Sequence, residues 1–156
     1  RQVPRRFRRV ASHHSEPPLV SLARKYEKYD EPAVRQKIAQ ALAYRELNNL
    51  NVERAKEELM TNGTSSLMSL GKLAMSRIQH GEAAIATDLL GLEALLDGDG
   101  HPDAAHANFD AAKAYMNSIG GGTDQIQKNI ISERVLNLPK EPAPDRDIAF
   151  RDVKSS

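Results

Sequence analysis

The most informative stretch of the chain runs from Ser118 to Pro139 and reads SIGGGTDQIQKNIISERVLNLP. Its three consecutive glycines lack Cβ atoms, so the backbone can adopt φ > 0 and lie close to a ligand or to another chain. Thr123 follows as an expected N-cap, and Asp124 places a negative charge in the first turn of the next helix. The sequence therefore predicts a glycine turn leading into a capped helix, whose N-terminus is suited to hold an anion or a polar ligand.

The predicted helix has one apolar side, formed by Ile126, Ile130, Ile131 and Val135 at helical spacing. We expect Pro139 to stop it, because proline cannot continue the hydrogen-bond ladder of a helix. A glycine cap between two core helices, with no ligand at all, is the simpler interpretation of the same pattern.

The same stretch resembles the C-terminal signature of the flavin-dependent acyl-CoA dehydrogenases. In that family a Gly-Gly-Thr or Glu-Gly-Thr segment precedes a run of the form Ile-Gln-Arg-Asn-Ile-Ile-x-Glu-Arg-Val-Leu-Gly-Leu-Pro. This chain has GGT at 121–123, QIQKNII at 125–131, ERVL at 133–136 and LP at 138–139. The resemblance implies FAD as the cofactor, with Thr123 and Gln125 hydrogen-bonded to the flavin and with Gly121 and Gly122 letting the backbone approach it.

One position departs from the family pattern. Several branches of the family carry the catalytic glutamate directly before the Gly-Thr pair, where this chain has Gly121. The other family position for that glutamate lies upstream of the residues that clearly align. We therefore expect no catalytic residue in this chain, and a subunit that lacks the catalytic base is one interpretation.

A second segment extends the resemblance. The run PAVRQKIA at 32–39 is similar to the Asp-Pro-x-Val-Arg-Gln-x-Leu-Ala segment of bacterial members. In the wider family an arginine about a dozen residues earlier, followed by Phe-Gly, reaches the flavin phosphates of a neighbouring subunit. Arg24 stands at that place here, without the Phe-Gly. Arg24 and Gln36 are therefore further candidates for cofactor contacts.

Composition narrows the class of protein. The 156 residues are enough for one domain with its own core, and 22 Lys plus Arg against 21 Asp plus Glu leave no strong field that would attract nucleic acid. Cysteine is absent, so a reducing compartment, the bacterial cytoplasm, is the expected location. No apolar run approaches the roughly 18 residues of a membrane span. Because the chain begins at Arg1, we expect a processed product or part of a longer protein.

The pattern predicts an all-α fold, an antiparallel bundle of four or five helices. It divides the whole chain into three regions. These are a basic irregular arm at 1–16, the bundle at 17–139 and an extended tail at 140–156. Helices are expected from Pro17 toward Tyr26, from Pro32 to about Met60 with Gly63 as terminator, and after a cap at 64–66. Another is expected from Pro102, carrying Ala105, Phe109, Ala112 and Tyr115. Small residues in the third helix should allow close helix approach: Gly71, Ala74, Gly81, Ala83, Ala84 and Ala86.

Metal binding is not expected. His13 and His14 have no third ligand nearby, and the loop at 97–100 lacks the later glutamate of a calcium site. The family resemblance implies α,β-dehydrogenation of an acyl-CoA thioester in lipid metabolism, within a homo- or hetero-tetramer of related subunits. An alternative is a tetratricopeptide-like scaffold for protein binding, because the alanine-rich helix hairpins loosely match such repeats. Clean 34-residue spacing is missing, however.

Overall fold

The computed structural model describes residues 16–140, 148–149 and 152. Within these residues the chain is helical and contains no strand, so the predicted all-α class is confirmed. Five α-helices and one 3₁₀ helix follow each other as α1 (Pro18–Lys25), α2 (Pro32–Asn62), α3 (Leu67–Leu90), the 3₁₀ helix (Gly91–Leu95), α4 (Pro102–Ile119) and α5 (Asp124–Arg134). The predicted arm, apart from Glu16, and most of the predicted tail lie outside the described residues.

Proline and glycine mark the helix boundaries much as the sequence predicts. Pro32 occupies the first turn of α2, and Gly63 ends that helix in the left-handed conformation with φ 72°. The N-cap of α2 is Glu31, whose side chain forms no capping hydrogen bond. The N-cap of α3 is Ser66, within the predicted 64–66, but its side chain forms no capping hydrogen bond. The preceding Ser65 hydroxyl instead accepts from the backbone N–H of Leu67 at 3.2 Å.

The central element is α3, which packs against each of the other helices of the described chain. It runs antiparallel to α2, because Arg45 of α2 pairs with Glu82 of α3, whereas Lys37, earlier in α2, pairs with Asp88, later in α3. It also runs antiparallel to α4, which follows it after the 3₁₀ helix and a short loop. Such pairing of consecutive helices is typical of an up-and-down bundle.

The core lies between α1, α2 and the C-terminal half of α3. One cluster of buried residues joins these three helices, and a smaller one joins α3, the 3₁₀ helix and α4. Leu22 and Ala86 contact both clusters, so the two form one apolar region. The buried members are Leu19, Ala23, Ile38, Ala41 and Leu89 in the first cluster and Leu90, Ala94 and Ala107 in the second.

The expectation of close helix approach was wrong for two glycines of α3. A Cβ at Gly71 or Gly81 would meet nothing within 4 Å, so these glycines are not required for helix contact within this chain. In α4 the bulky residues Phe109 and Tyr115 are each 63% exposed, whereas the buried residues are Ala104, Ala107 and Ala114. The reason is steric, because alanines bring α4 close to α3 and leave its larger side chains on the opposite side.

The last helix is shorter than expected. It ends at Arg134, five residues before Pro139, because the chain leaves the helix through Asn137, whose φ is 52°. The Leu138 N–H then bonds back to the Ser132 carbonyl at 2.9 Å. None of the residues of α5 is fully buried, so this helix lies on the surface of the bundle.

Helix length and hydropathy also bear on membranes. Within the described residues, we find no helix that combines the length and the apolar character needed to cross a bilayer.

Candidate functional site

The glycine turn has the backbone conformation that its sequence predicts. Gly121 and Gly122 have φ of 68° and 96°, which are values that residues with a Cβ rarely adopt. A Cβ at Gly122 would also lie only 3.3 Å from the Gln127 amide nitrogen. The third glycine differs, because Gly120 ends α4 with φ −61°. Glycine is therefore required by conformation at positions 121 and 122, and by space at 120, where a Cβ would lie 2.9 Å from the Met116 carbonyl oxygen.

Thr123 caps α5 as predicted. Its hydroxyl oxygen accepts a hydrogen bond from the Ile126 N–H at 3.3 Å, and Asp124 lies in the first turn. Accepting this bond leaves the O–H of Thr123 available as a donor. The side chain of Gln125, the second residue of α5, is exposed and forms no hydrogen bond with the described residues. The turn therefore presents two polar side chains at the N-terminus of a helix.

Three polar side chains of α3 contact residues 118–124, which we call the glycine segment. Lys72 Nζ donates to the Gly122 carbonyl oxygen, and Ser76 Oγ donates to Asp124 Oδ2 at 2.7 Å. His80 Nε2 lies 3.2 Å from Ser118 Oγ. Sequence analysis missed all three. Their spacing of four residues along one helix was the signal that could have indicated a shared face.

Unsatisfied polar atoms occur in the same sequence neighbourhoods. Among the described residues, the buried side-chain polar atoms that lack a hydrogen-bond partner belong to Gln79, Asn117 and Asp124. Gln79 precedes His80, Asn117 precedes Ser118, and Asp124 is the first residue of α5. Buried polar atoms in folded proteins are usually hydrogen-bonded, so these three atoms are suited to accept or donate to a partner outside the chain, such as water.

Each of the two acids near the turn has a polar partner at one carboxylate oxygen. Asp124 accepts the Ser76 hydrogen bond, and Glu133 near the end of α5 lies 3.7 Å from Lys140. Gly121 itself has no side chain. Among the described residues there is also no group of three or more His, Cys, Asp or Glu side chains suited to a metal ion.

The remaining candidates, Arg24 and Gln36, lie at the opposite end of the bundle. Ala23 packs against Leu89 near the end of α3, whereas the glycine segment contacts Lys72 and Ser76 in its first half. Thirteen residues separate Ser76 from Leu89, which is about 20 Å along a helix. The six sequence-predicted contacts therefore form two groups, with Gly121, Gly122, Thr123 and Gln125 together and Arg24 and Gln36 apart.

Arg24 is held in a defined position. Its Nε donates to Glu16 at 2.8 Å, and its guanidinium lies 4.0 Å from the centre of the Tyr29 ring. Arg35 approaches the same ring at 5.6 Å. Gln36 is exposed on the first turns of α2 and forms no hydrogen bond with the described residues. The guanidinium groups of Arg24 and Arg35 thus both lie near the Tyr29 ring, and Gln36, with its free amide, follows Arg35 in the chain.

A polar network links α1 to α4 beside this second group. Lys25 and the Tyr26 hydroxyl both donate to the carboxylate of Asp103. The hydrogen bond from Lys25 lowers the pKa of Asp103 below its ordinary value, with a further contribution from Tyr26. Burial raises the pKa of the Tyr26 phenol, and hydrogen bonding with Glu93 and Asp103 raises it further. The network fixes α1 on the bundle and so positions Arg24.

Comparison of the chain with known proteins identifies its family. The family model for the C-terminal domain of acyl-CoA dehydrogenases matches residues 20–136. The chain is 30% identical over 139 residues to the acyl-CoA dehydrogenase IpdE1 of Mycolicibacterium smegmatis, covering 85% of this chain and 32% of that protein. It is 28% identical over 127 residues to IpdE1 of Mycobacterium tuberculosis, covering 79% and 31% respectively.

No solved structure matched the chain. The chain spans about a third of the length of the curated relatives that it matches. The family model, by contrast, extends from α1 through α5 and includes the glycine turn. The chain therefore belongs to the acyl-CoA dehydrogenase family, whose C-terminal helical domain it matches.

Proposed function

We propose that this chain forms one wall of the FAD site in an enzyme that dehydrogenates an acyl-CoA thioester between its α and β carbons. The observation that carries the proposal is the glycine turn, with two consecutive positive φ angles before a capped helix N-terminus. This geometry lets a ligand approach the backbone while Thr123 and Gln125 present polar groups. The two relatives are both named acyl-CoA dehydrogenases, which agrees with the proposal.

The residues of the turn fit a flavin. An isoalloxazine ring offers polar groups at its edge and flat faces that need close approach, and Gly121 and Gly122 provide an approach without side chains. Thr123 retains a hydroxyl donor after capping, and Gln125 has both an amide donor and an acceptor. FAD, when bound, supplies the hydride acceptor for the reaction. This chain then contributes binding and orientation at the turn.

Arg24 and Gln36 have a different role in this proposal. Because they lie about 20 Å along α3 from the turn, we assign them to a second flavin, held mainly by a neighbouring subunit. The guanidinium groups of Arg24 and Arg35 beside Tyr29 provide positive charge suited to its phosphates. One chain would then contact two cofactors in an assembly, as the family resemblance implies for a tetramer.

Exposed apolar side chains support such an assembly. The outer end of the α2–α3 hairpin has an apolar groove of about 250 Å³ lined by residues that include Val52, Ala55, Leu59 and Met68. Elsewhere Leu92 and Leu95 are 84% and 82% exposed. Surfaces of this kind commonly mark sites where other domains or subunits pack. We assign them to contacts within a homo- or hetero-tetramer.

The catalytic base is assigned to another part of the assembly. Removal of an α-proton from a thioester needs a carboxylate within about 3 Å of that proton. Gly121 has no such group, Asp124 is bound by Ser76, and Glu133 lies near the far end of α5. We infer that the base comes from an upstream helix or from a partner subunit, or is absent at sites built around this turn.

The tetratricopeptide alternative is less consistent with the helices. A repeat array would show helix pairs of similar length, whereas α2, α3 and α4 have 31, 24 and 18 residues. The positive φ glycines before α5 also have no counterpart in such a repeat.

The proposal is tested in a complete assembly, meaning this chain together with the flavin-binding domains that it works with. Anaerobic addition of acyl-CoA should bleach the visible flavin absorbance and yield the enoyl-CoA product. A complete, FAD-loaded assembly that is not bleached by acyl-CoA thioesters of short, medium, long or steroid-derived chains would contradict it.

A further inference from the structure

The glycine segment at 118–124 has little apolar support of its own. Gly120, Gly121 and Gly122 contribute no side chains, and α5 has no fully buried residue. Glycine also loses more conformational freedom on ordering than any other residue. At the three glycines themselves, the described residues provide one local side-chain hydrogen bond, from the Gln127 amide nitrogen to the Gly121 carbonyl at 3.2 Å. The conformation of the segment therefore depends on contacts from elsewhere in the bundle.

Those contacts come from a single face of α3. Lys72, Ser76 and His80 follow each other at intervals of four residues, so they lie along one side of the helix. We call these three residues the α3 ridge. They reach the segment near its end at Gly122, at the first turn of α5 and at the last turn of α4, respectively. The segment is thus tied at three points to the central helix of the bundle.

Lys72 sets the direction of one peptide group. Its ammonium donates to the carbonyl oxygen of Gly122. In a trans peptide the carbonyl and the following N–H point in opposite directions. With the Gly122 carbonyl turned toward α3, the N–H of Thr123 points away from α3. Since Gly122 is free to adopt many conformations, Lys72 selects among them the one that directs this donor outward.

Ser76 fixes the start of α5. It is 2% exposed, and a helical serine of this kind often bonds to a carbonyl in the preceding turn of its own helix. Here its hydroxyl instead crosses to Asp124, the first residue of α5. Asp124 is not needed as the cap, because Thr123 already caps that helix. The contact therefore serves to place the first turn, and with it Thr123 and Gln125, on α3.

His80 holds the other end of the segment. Ser118 Oγ donates to the Tyr115 carbonyl at 3.1 Å, so it is free to accept from the N–H of His80 Nε2. The imidazole also meets the Tyr115 ring edge-on, with 4.7 Å between ring centres. The last turn of α4, where the glycine segment begins, is thereby anchored to the same helix face.

We propose that Lys72, Ser76 and His80 are positioning residues that hold the flavin-facing turn in its binding conformation. The inference rests on the proposed function, because it assigns these residues to the flavin through Thr123 and Gln125. They touch the turn rather than the flavin. Their loss should weaken flavin binding and change the environment of the bound ring while leaving the helical bundle intact.

The test uses Lys72→Met and Ser76→Ala in the complete FAD-containing assembly. Two control variants remove similar interactions elsewhere. Ser65→Ala removes a hydrogen bond from a serine to a carboxylate of the same 2.7 Å length, and Lys56→Met removes a lysine that pairs with Glu53 on α2. Three quantities are measured for each variant: the FAD dissociation constant, the position and shape of the flavin absorption bands, and the melting temperature of the bundle.

We expect Lys72→Met and Ser76→Ala to raise the FAD dissociation constant by roughly five-fold each, the effect of losing about one hydrogen bond. Their flavin bands should also shift. Ser65→Ala and Lys56→Met should show neither effect, even where they lower the melting temperature as much as the ridge variants do. Lys72→Arg keeps a donor for the Gly122 carbonyl and should restore FAD affinity to within about two-fold of the original.

Two results would overturn the inference alone, and a third would overturn the proposed function with it. One is unchanged FAD affinity and unchanged bands in both ridge variants while Thr123→Val still weakens binding, which would leave the proposed function standing. The other is equal weakening in ridge and control variants, which would mean that general stability is the cause. If Thr123→Val and the ridge variants all bind FAD normally, the proposed function itself fails, and the inference fails with it.

Discussion

The hydroxyl of Ser76 lies 2.7 Å from the carboxylate of Asp124, although 48 positions separate the two residues in the chain. This contact joins the central helix to the first residue of α5, a helix that buries no residue completely. This polar contact therefore fixes the start of α5 against α3.

The isolated chain should fold without retaining flavin. Its core is formed by side chains from α1, α2, α3 and α4 of the same chain, so circular dichroism should show a helical protein. Only one wall of the proposed site is present, so FAD added in excess should be removed by desalting, as read by visible absorbance. A stoichiometric yellow complex of this chain alone would show that the site is complete within it.

Substituting Gly122 should be costly, and a second glycine provides the matched control. Gly122→Ala places a Cβ at φ 96° and 3.3 Å from Gln127, so we expect it to lower the free energy of unfolding by about 1 kcal/mol or more. Gly81→Ala places a Cβ in open space within α3, and it should raise that free energy by about 0.5–1 kcal/mol. Chemical denaturation of both variants measures the difference. Equal effects of the two would contradict the turn geometry.

The network at Asp103 should make stability depend on pH on the acid side. Its pKa is lowered in the folded chain, chiefly by Lys25, relative to about 3.9 for an unfolded aspartate. The stabilisation is thus present above about pH 4 and is lost as the pH falls through the lowered pKa. Asp103→Asn should flatten the fall in melting temperature over that window. Lys25→Met should do the same, and an unaltered pH profile in both variants would exclude this network as the cause.

The acids near the turn should be dispensable for proton removal. In the complete assembly, Asp124→Asn and Glu133→Gln should retain flavin bleaching by acyl-CoA within about ten-fold of the original rate, measured by stopped flow. The reason is that both carboxylates have structural partners, Ser76 and Lys140. General-base catalysis typically contributes 10²–10⁴-fold. A hundred-fold loss in either variant, with flavin still bound, would identify that acid as the base.

Local sequence was enough to predict the glycine turn and its cap. Positive φ at Gly121 and Gly122 and the N-cap at Thr123 follow from the conformational preferences of the residues themselves. The proline and glycine boundaries of α2 follow from the same kind of local rule. The overall bundle was then predicted from helical spacing together with the family resemblance.

Contacts between distant segments were not predictable in this way. Lys72 and His80 look like ordinary helix residues, because their roles depend on the turn being folded against α3 from about 40–50 residues away. The outward position of Phe109 also needed the structure, since alanines and larger apolar residues in α4 fit either face by spacing alone. The flavin roles of Thr123, Gln125, Arg24 and Gln36 remain predictions.

The FAD dissociation constant of turn variants in the complete assembly tests the central claim most directly. We expect Thr123→Val and Gln125→Ala each to raise it by roughly five-fold, the effect of about 1 kcal/mol from one lost hydrogen bond. Thr123→Val should also cost about 1 kcal/mol of stability through the cap, whereas Thr123→Ser should keep both functions. Lys128→Ala, an exposed change on the same helix, should leave the constant unaltered. Unchanged FAD affinity in both Thr123→Val and Gln125→Ala would contradict the assignment of this turn to the flavin.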